Sequence, residues 1–191
     1  MISREELAQA FHRTQSFKWD PDKGFTLASG AISPYYVDCR ALMAYPSARH
    51  VVAQLAWEAI RSFDISCIGG LEIGAISIAT TISDYGYTSA DRREWRTFVV
   101  RKQPKGHGLG KLIDGAVQPG DRALVVDDVL TSGGSLLKVI AAARDIGIEV
   151  SHALVLVDRE EHNGRARIEQ EHVRLVSLLT IQDLMKARKQ I

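Results

Sequence analysis

Cysteine is scarce in this 191-residue sequence: Cys39 and Cys67 are the only two, and they stand at no metal-ligand spacing. Two such residues do not make a disulfide framework, so a reducing cytosol is the expected compartment. No apolar run approaches the ~20 residues a membrane helix needs. The opening Met1-Ile2-Ser3-Arg4-Glu5-Glu6 also lacks the apolar centre of a secretion signal. A cytoplasmic protein without a membrane partner is expected. Neither sign of charge dominates, with 24 Lys and Arg against 23 Asp and Glu, so nothing global points to nucleic acid or to an anionic surface. Repeats, low-complexity linkers and the G-x-x-x-x-G-K-[ST] pattern of a nucleotide P-loop are missing as well. The composition that remains is that of a soluble globular chain, long enough for one domain with a sizeable core.

Against this plain background one stretch stands out, LVVDDVLTSGGS from Leu124 to Ser135. An apolar run ends in two carboxylates, Asp127 and Asp128. A loop of small residues follows, and then an amphipathic segment: a buried strand, a turn and a helix start. Backbone N–H groups at a helix start, unobstructed at Gly133 and Gly134, form a ready anion site. Thr131, Ser132 and Ser135 add hydroxyl donors. Ionised carboxylates only accept hydrogen bonds, so a sugar diol is their natural partner. The stretch therefore reads as a site for a ribose 5-phosphate, with hydroxyls on the acids and phosphate in the loop. A single helix cap would use one such residue, not an acid pair and a run of small ones.

Elsewhere apolar spacing predicts a helix over residues 47–63, with Val52, Leu55, Ala56, Ala59, Ile60 and Phe63 on one face. A short buried strand over 65–68 is closed by Gly69-Gly70, and a helix from Gly74 runs to about Tyr85 and stops at Gly86. Strands follow at 97–100 and 123–126. A helix after Ser135 turns Leu136, Ile140 and Ala143 inward and ends at Gly147, and strands lie at 153–157 and 173–178. Apolar strands alternating with helices predict a parallel sheet covered on both faces. Ligands in such sheets sit beyond the carboxyl ends of the strands. Asp127, Arg101 and Arg159 each follow a predicted strand and so should share one rim. The first 45 residues break the alternation. Phe25-Thr26-Leu27 and Tyr35-Tyr36-Val37 read as short strands around the Ser29-Gly30 turn, forming a small cap over that rim.

Residues 101–111, RKQPKGHGLGK, carry Arg101, Lys102, Lys105, Lys111 and His107, with no acid before Asp114. Pro104 and three glycines make a regular element improbable there. A cationic, glycine-hinged loop between core strands suits a lid over an anionic substrate. With the phosphate cradle downstream, the substrate is a phosphoribose bearing a pyrophosphate leaving group. Lys102, Lys105 and His107 then neutralise the charge that builds on the leaving oxygens. Asp127 and Asp128 orient the ribose, and magnesium, a hard ion that keeps its waters, suits the bridge between pyrophosphate and ribose hydroxyls.

LVVDDVLTSGGS resembles the phosphoribosyl-pyrophosphate motif of the type I phosphoribosyltransferases. VRKQPKGHGLGKLIDG (Val100 to Gly115) is similar to the catalytic loop of the orotate phosphoribosyltransferases, FTLASGAISPYYVDCR (Phe25 to Arg40) to their N-terminal segment, and LVDREE (Leu156 to Glu161) to their strand-end arginine. The resemblance implies a single-domain type I phosphoribosyltransferase fold, an α/β core over residues 46–191 with an N-terminal hood over 1–45. It implies transfer of phosphoribose to orotate with Mg2+ held mainly by the substrate rather than directly by protein. It also implies a homodimer whose loop closes over the neighbouring subunit's site. Arg101, Lys102, Lys105 and His107 match the loop's functional positions. Asp127, Asp128, Val129, Leu130, Thr131, Ser132, Gly133, Gly134 and Ser135 match the ribose-phosphate site. Thr131 and Arg159 match contacts to orotate, and Tyr35 and Tyr36 match aromatic positions near the base. A guanidinium pairs a carboxylate through two parallel hydrogen bonds, which agrees with the role of Arg159. Ala28 and Ile73 stand where many members carry lysine, so weaker substrate binding is expected than in those members. The alternatives are a phosphoribosyltransferase for another base and a non-catalytic sensor of phosphoribosyl pyrophosphate.

Overall fold

The structure is a computed structural model that describes residues 2–26, 30, 32–103 and 112–189. Ser3 starts helix α1 (Arg4–Arg13) by accepting the Glu6 amide at 3.2 Å, and the helix buries Leu7, Ala8, Ala10 and Phe11. Four short strands follow: β1 (Phe17–Trp19), β2 (Phe25–Thr26), β3 (Ile32–Ser33) and β4 (Tyr35–Val37). Helices α2 (Cys39–Met43) and α3 (Pro46–Ile60) lead into the alternating part of the chain. That part comprises β5 (Cys67–Leu71), α4 (Gly74–Thr88), β6 (Arg96–Val100), β7 (Ile113–Gly115), β8 (Arg122–Leu130) and α5 (Gly134–Asp145). It closes with β9 (Glu149–Asp158), α6 (Gly164–Glu169), β10 (Arg174–Thr180) and α7 (Ile181–Arg188).

The main sheet has the order β10-β9-β8-β5-β6-β7, parallel throughout except for β7 on the edge. Side chains of its central strands alternate between two cores. Leu124, Val126, Leu154 and Leu156 face a cluster built with α1, α3, α4 and α7. Ala123, Val125, Ala153 and Val155 face one built with α5 and Ile168 of α6. This is the expected sheet covered on both faces, and the unbroken apolar runs at the centre of β8 (Ala123 to Val126) and β9 (Ala153 to Val157) follow from it. The chain moves from β5 outward to β6, then crosses back over β5 to β8 and proceeds the other way. The loops after β5 and β8 therefore diverge, opening a crevice at the carboxyl ends of those strands.

Several boundaries differ from the sequence-based expectation, each for a packing reason. Gly69 and Gly70 do not close β5 but lie inside it. A Cβ there would come within 2.3 Å of the Phe98 carbonyl and 2.1 Å of the Val126 carbonyl, so only glycine lets the neighbouring strands pack this closely. Gly86 does not stop α4, which continues to Thr88; a Cβ on it would sit 3.0 Å from the Trp95 ring. β8 runs on through Leu130 because β9 keeps pairing with it, Asp127 with Val155 and Leu130 with Asp158. Asp127 and Asp128 thus belong to the last stretch of a strand rather than following it, while Arg101 and Arg159 do follow theirs. Helix α3 ends at Ile60, leaving Phe63 half-buried beyond it. In the N-terminal segment β2 pairs with β3, and β4 pairs instead with β1, a strand the sequence did not announce. Leu27, Ala28 and Ser29, at the expected turn, lie outside the described residues.

Candidate active site

The acid pair and the loop after it form one continuous surface at the crevice. Asp127 and Asp128 are half-buried, and each accepts the backbone N–H of the residue that follows it, at 3.0 and 2.9 Å. Burial and the adjacent Asp128 charge push the Asp127 carboxyl up to about 8. Gly74 lets Asp128 in: a Cβ there would lie 3.0 Å from the carboxyl carbon, which therefore rests against the first turn of α4. Helix ends of this polarity favour a carboxylate. Beneath the pair, the Cys39 thiol donates to the Asp128 carbonyl at 3.7 Å, and burial with the nearby acids keeps the thiol protonated.

Beyond Leu130 the backbone turns through Gly133, whose φ of 76° is left-handed, and enters α5 at Gly134. A side chain at Gly133 would also crowd the Gly164 carbonyl and Ile168, both 3.2 Å from its Cβ. Asp127, Val129, Leu130, Thr131, Ser132, Gly133, Gly134 and Ser135 line a recess of about 330 Å³ at the start of the helix. The first residues of α5 and the hydroxyl-bearing Thr131, Ser132 and Ser135 share this lining, and the N–H groups of a helix start favour an anion. Lys138 joins the lining one turn into α5. It was not singled out from the sequence, although its position three residues past Ser135 places it on the same helix end.

On the other side of the acids lies a second recess, about 260 Å³, lined by Tyr36, Asp38, Arg40, Glu72, Ile73, Gly74, Lys102, Asp127, Asp128 and Ser135, among others. Asp38, Arg40 and Glu72 were not singled out from the sequence: Asp38 and Arg40 close the Phe25–Arg40 segment, but only the fold brings them and Glu72 to the recess beside the acid pair. Lys102 reaches this recess from the end of β6, its amide donating to Glu72 Oε1 at 2.8 Å. Arg101 is spent at the base of the hairpin, where its Nε donates to Asp114 at 2.6 Å and its N–H to the Leu112 carbonyl at 2.9 Å. Ile73 is 67% exposed and brings no charge. Lys105 and His107, with Pro104 and Lys111, lie outside the described residues.

Arg159 opens from the neighbouring strand, its N–H donating to the Leu130 carbonyl at 3.0 Å. Arg159 and the loop that follows Leu130 are thereby held side by side. Its guanidinium is 5% exposed, bonded to Glu161 at 3.0 Å and to Ser33 Oγ at 3.0 Å, with the Tyr35 ring 4.8 Å below. Tyr36 stacks loosely on Phe25, with ring centres 6.0 Å apart, and lines the recess beside the acids instead of joining Arg159. An acid pair, two recesses flanking it and a buried arginine thus lie along one rim.

A parallel sheet with an acid pair and an anion recess at its crossover defines a class, and residues 46–177 match the family model of the phosphoribosyl transferase domain. Full-length likeness narrows it. The orotate phosphoribosyltransferase of Aquifex aeolicus (strain VF5) is 38% identical over 185 residues, covering 97% of this chain and 99% of that protein. The Mycobacterium tuberculosis H37Rv orotate phosphoribosyltransferase, crystallised with Fe(III) dicitrate, aligns with a TM-score of 0.80 at 36% identity, over 95% of this chain and 98% of that one. The same protein in complex with 5-phospho-alpha-D-ribosyl 1-diphosphate aligns at 0.73 and 31%, over 95% and 90% of the two chains. The chain belongs to the orotate phosphoribosyltransferase family.

Proposed function

We propose that this protein transfers the 5-phosphoribosyl group of phosphoribosyl pyrophosphate to orotate, releasing pyrophosphate and forming orotidine 5′-phosphate. The observation that carries the reading is the juxtaposition, on adjacent strand ends, of an anion recess with its acid pair and a buried arginine. The recess of residues 131–135 holds the 5-phosphate, with Lys138 adding charge. Asp127 and Asp128 accept the ribose hydroxyls and face the cationic character that develops at the anomeric carbon as its bond to pyrophosphate breaks. The orotate ring nitrogen forms the new bond and gives up its proton, while Arg159 and Thr131 orient the ring through its carboxylate side. Tyr35 and Tyr36 border the base. Lys102, together with Lys105 and His107, neutralises the departing pyrophosphate, and Arg40 at the same recess offsets part of what Ile73 lacks.

A magnesium ion fits the donor set. Asp127, pushed up by burial and by the Asp128 charge beside it, would gain from a cation, and no group of three or more candidate ligands occurs among the described residues. Asp127 and Asp128 are the residues that would help hold such an ion, with phosphoribosyl pyrophosphate as its main ligand, and it would supply charge neutralisation for the leaving group. The protein works as a homodimer in which Lys105 and His107 serve the partner's site. The cytoplasm is the proposed location, a reading supported by two buried free thiols, Cys39 and Cys67. No helix among the described residues is long and apolar enough to cross a membrane.

The test is a magnesium-dependent ultraviolet assay of orotate loss, with uracil, adenine and hypoxanthine in parallel. Turnover of orotate alone supports the reading. Turnover of a purine would move the protein to another branch, and binding of phosphoribosyl pyrophosphate without turnover of any base would make it a sensor.

A further inference from the structure

Among the described residues Arg159 is the one buried cation. A guanidinium does not give up its charge in a protein, so its burial demands fixed partners. Those partners come from distant parts of the chain. Glu161 accepts from Nε at 3.0 Å and from Nη2 at 3.4 Å, and Ser33 Oγ accepts from Nη2 at 3.0 Å. The Tyr35 ring lies under the guanidinium, and the Tyr35 hydroxyl donates to the same Glu161 carboxylate. Burial and Glu161 raise the Tyr35 hydroxyl to about 12, so it stays a donor at any working pH. The Nε edge and the Nη2 corner are thus taken, whereas Nη1 makes no hydrogen bond to a described residue.

We infer that Glu161 is a positioning residue for base recognition. It grips Arg159 by the Nε edge and Tyr35 by the hydroxyl, and so presents the Nη1 end to the carboxylate of the incoming base. The inference rests on the orotate reading above. Its physical content is preorganisation: a long side chain fixed before the ligand arrives loses no rotamer freedom on binding. Glu161 touches Arg159 and Tyr35, not the reacting atoms, so its effect belongs in the affinity for the base and not in the chemical step. Neighbouring Glu160 makes no such contact, its amide being capped by Asp158 at 2.9 Å.

Steady-state kinetics of Glu161→Ala and Glu161→Gln, with orotate and phosphoribosyl pyrophosphate varied separately, test it. Glu161→Ala should raise the KM for orotate roughly 10-fold or more, the scale for a lost charged hydrogen-bond partner. The KM for phosphoribosyl pyrophosphate and kcat should stay within about twofold, inside the ordinary context scatter of such values. Glu161→Gln keeps one acceptor oxygen, enough for the Tyr35 hydroxyl and one guanidinium N–H, and should recover part of the loss. If Glu161→Ala folds poorly, Tyr35→Phe removes only the hydroxyl and should raise the orotate KM about 2–5-fold with the other KM unmoved. Equal rises in both KM values would overturn the inference in favour of a merely structural role. A lowered orotate KM would overturn it too, showing that Glu161 competes with the substrate carboxylate. A wild-type protein that turns over no orotate would overturn the function itself, whereas an active wild type with unmoved variants overturns only the inference.

Discussion

The two halves of the site are built by different means. The half proposed to take phosphate and diol is one contiguous stretch, Asp127 to Ser135, and most of what it offers is backbone N–H and short side chains placed by a strand end, a left-handed glycine and a helix start. The half proposed to read the base has no such stretch. Ser33, Tyr35, Arg159 and Glu161 come from positions 126 residues apart and meet only because the N-terminal strands fold over the end of β9. A backbone-built site is fixed by local geometry and survives change elsewhere. A side-chain-built site depends on tertiary packing, so it can be retuned, or lost, without touching the phosphate half.

The sharpest way to break this comparison is to damage each half alone. Asp128→Asn should leave the fold intact and lower kcat roughly 10²–10³-fold, the scale for one electrostatic group removed from a reacting centre. Its orotate KM should hardly move. Arg159→Ala should lower kcat/KM for orotate by about the same factor. Calorimetric titration of that variant with magnesium and phosphoribosyl pyrophosphate should give the wild-type affinity. A variant that weakens both substrates equally would show the halves to be one unit.

A smaller effect is expected at the turn. Gly133→Ala keeps every polar group but places a Cβ at a φ of 76°, with Gly164 and Ile168 already 3.2 Å away. The left-handed conformation alone costs about 1–2 kcal/mol. A lowered melting temperature and a raised KM for phosphoribosyl pyrophosphate should appear together, the orotate KM staying put.

The acid pair carries a pH signature. Asp127 holds its proton up to about 8 in the folded chain, while an unfolded aspartate releases it near 3.9. Between those values the folded state binds the extra proton, so this group favours folding at low pH and its contribution is lost as pH rises. The slope reaches at most about 1.4 kcal/mol per pH unit and vanishes above the folded value. Urea unfolding of wild type and Asp127→Asn from pH 5 to 9 isolates it. Their stability difference should shift steadily in favour of the variant up to about pH 8 and then level off.

How far the sequence reveals each half follows from the same difference. Contiguous structure was readable: the acid pair at a strand end, the small-residue turn into α5, the arginine at the end of β9 and the two-faced parallel sheet are all in the spacing of residues. The extent of β8 was not, because its last residues are held by pairing with β9 and not by their own apolarity. Gly69, Gly70 and Gly86 read as punctuation yet serve contacts with Phe98, Val126 and Trp95, partners that only the fold brings near. Glu161 and Ser33 sit inside the recognisable LVDREE and Phe25–Arg40 segments, yet nothing local marks them as partners of Arg159, since that role arises from one arginine's need for partners once buried. Arg101 looked like a free loop cation, and its pairing with Asp114 appears only when β6 and β7 form their hairpin.

The mildest test concerns the position where lysine is replaced. Ile73 is exposed at a recess that carries Asp38, Glu72, Asp127 and Asp128 against Arg40 and Lys102, so acids outnumber cations there. Ile73→Lys adds a charge where pyrophosphate is expected, and an exposed ion contact contributes about 0–1 kcal/mol. Phosphoribosyl pyrophosphate should bind about 3–5-fold tighter at low salt. The gain should fade as ionic strength rises, because exposed charges are screened over about 10 Å at 0.1 M. Orotate affinity should be untouched, since the change is confined to the phosphate half. If the variant binds no tighter even at low salt, the side chain at 73 does not face the pyrophosphate, and Arg40 with Lys102 already supplies the charge this recess needs.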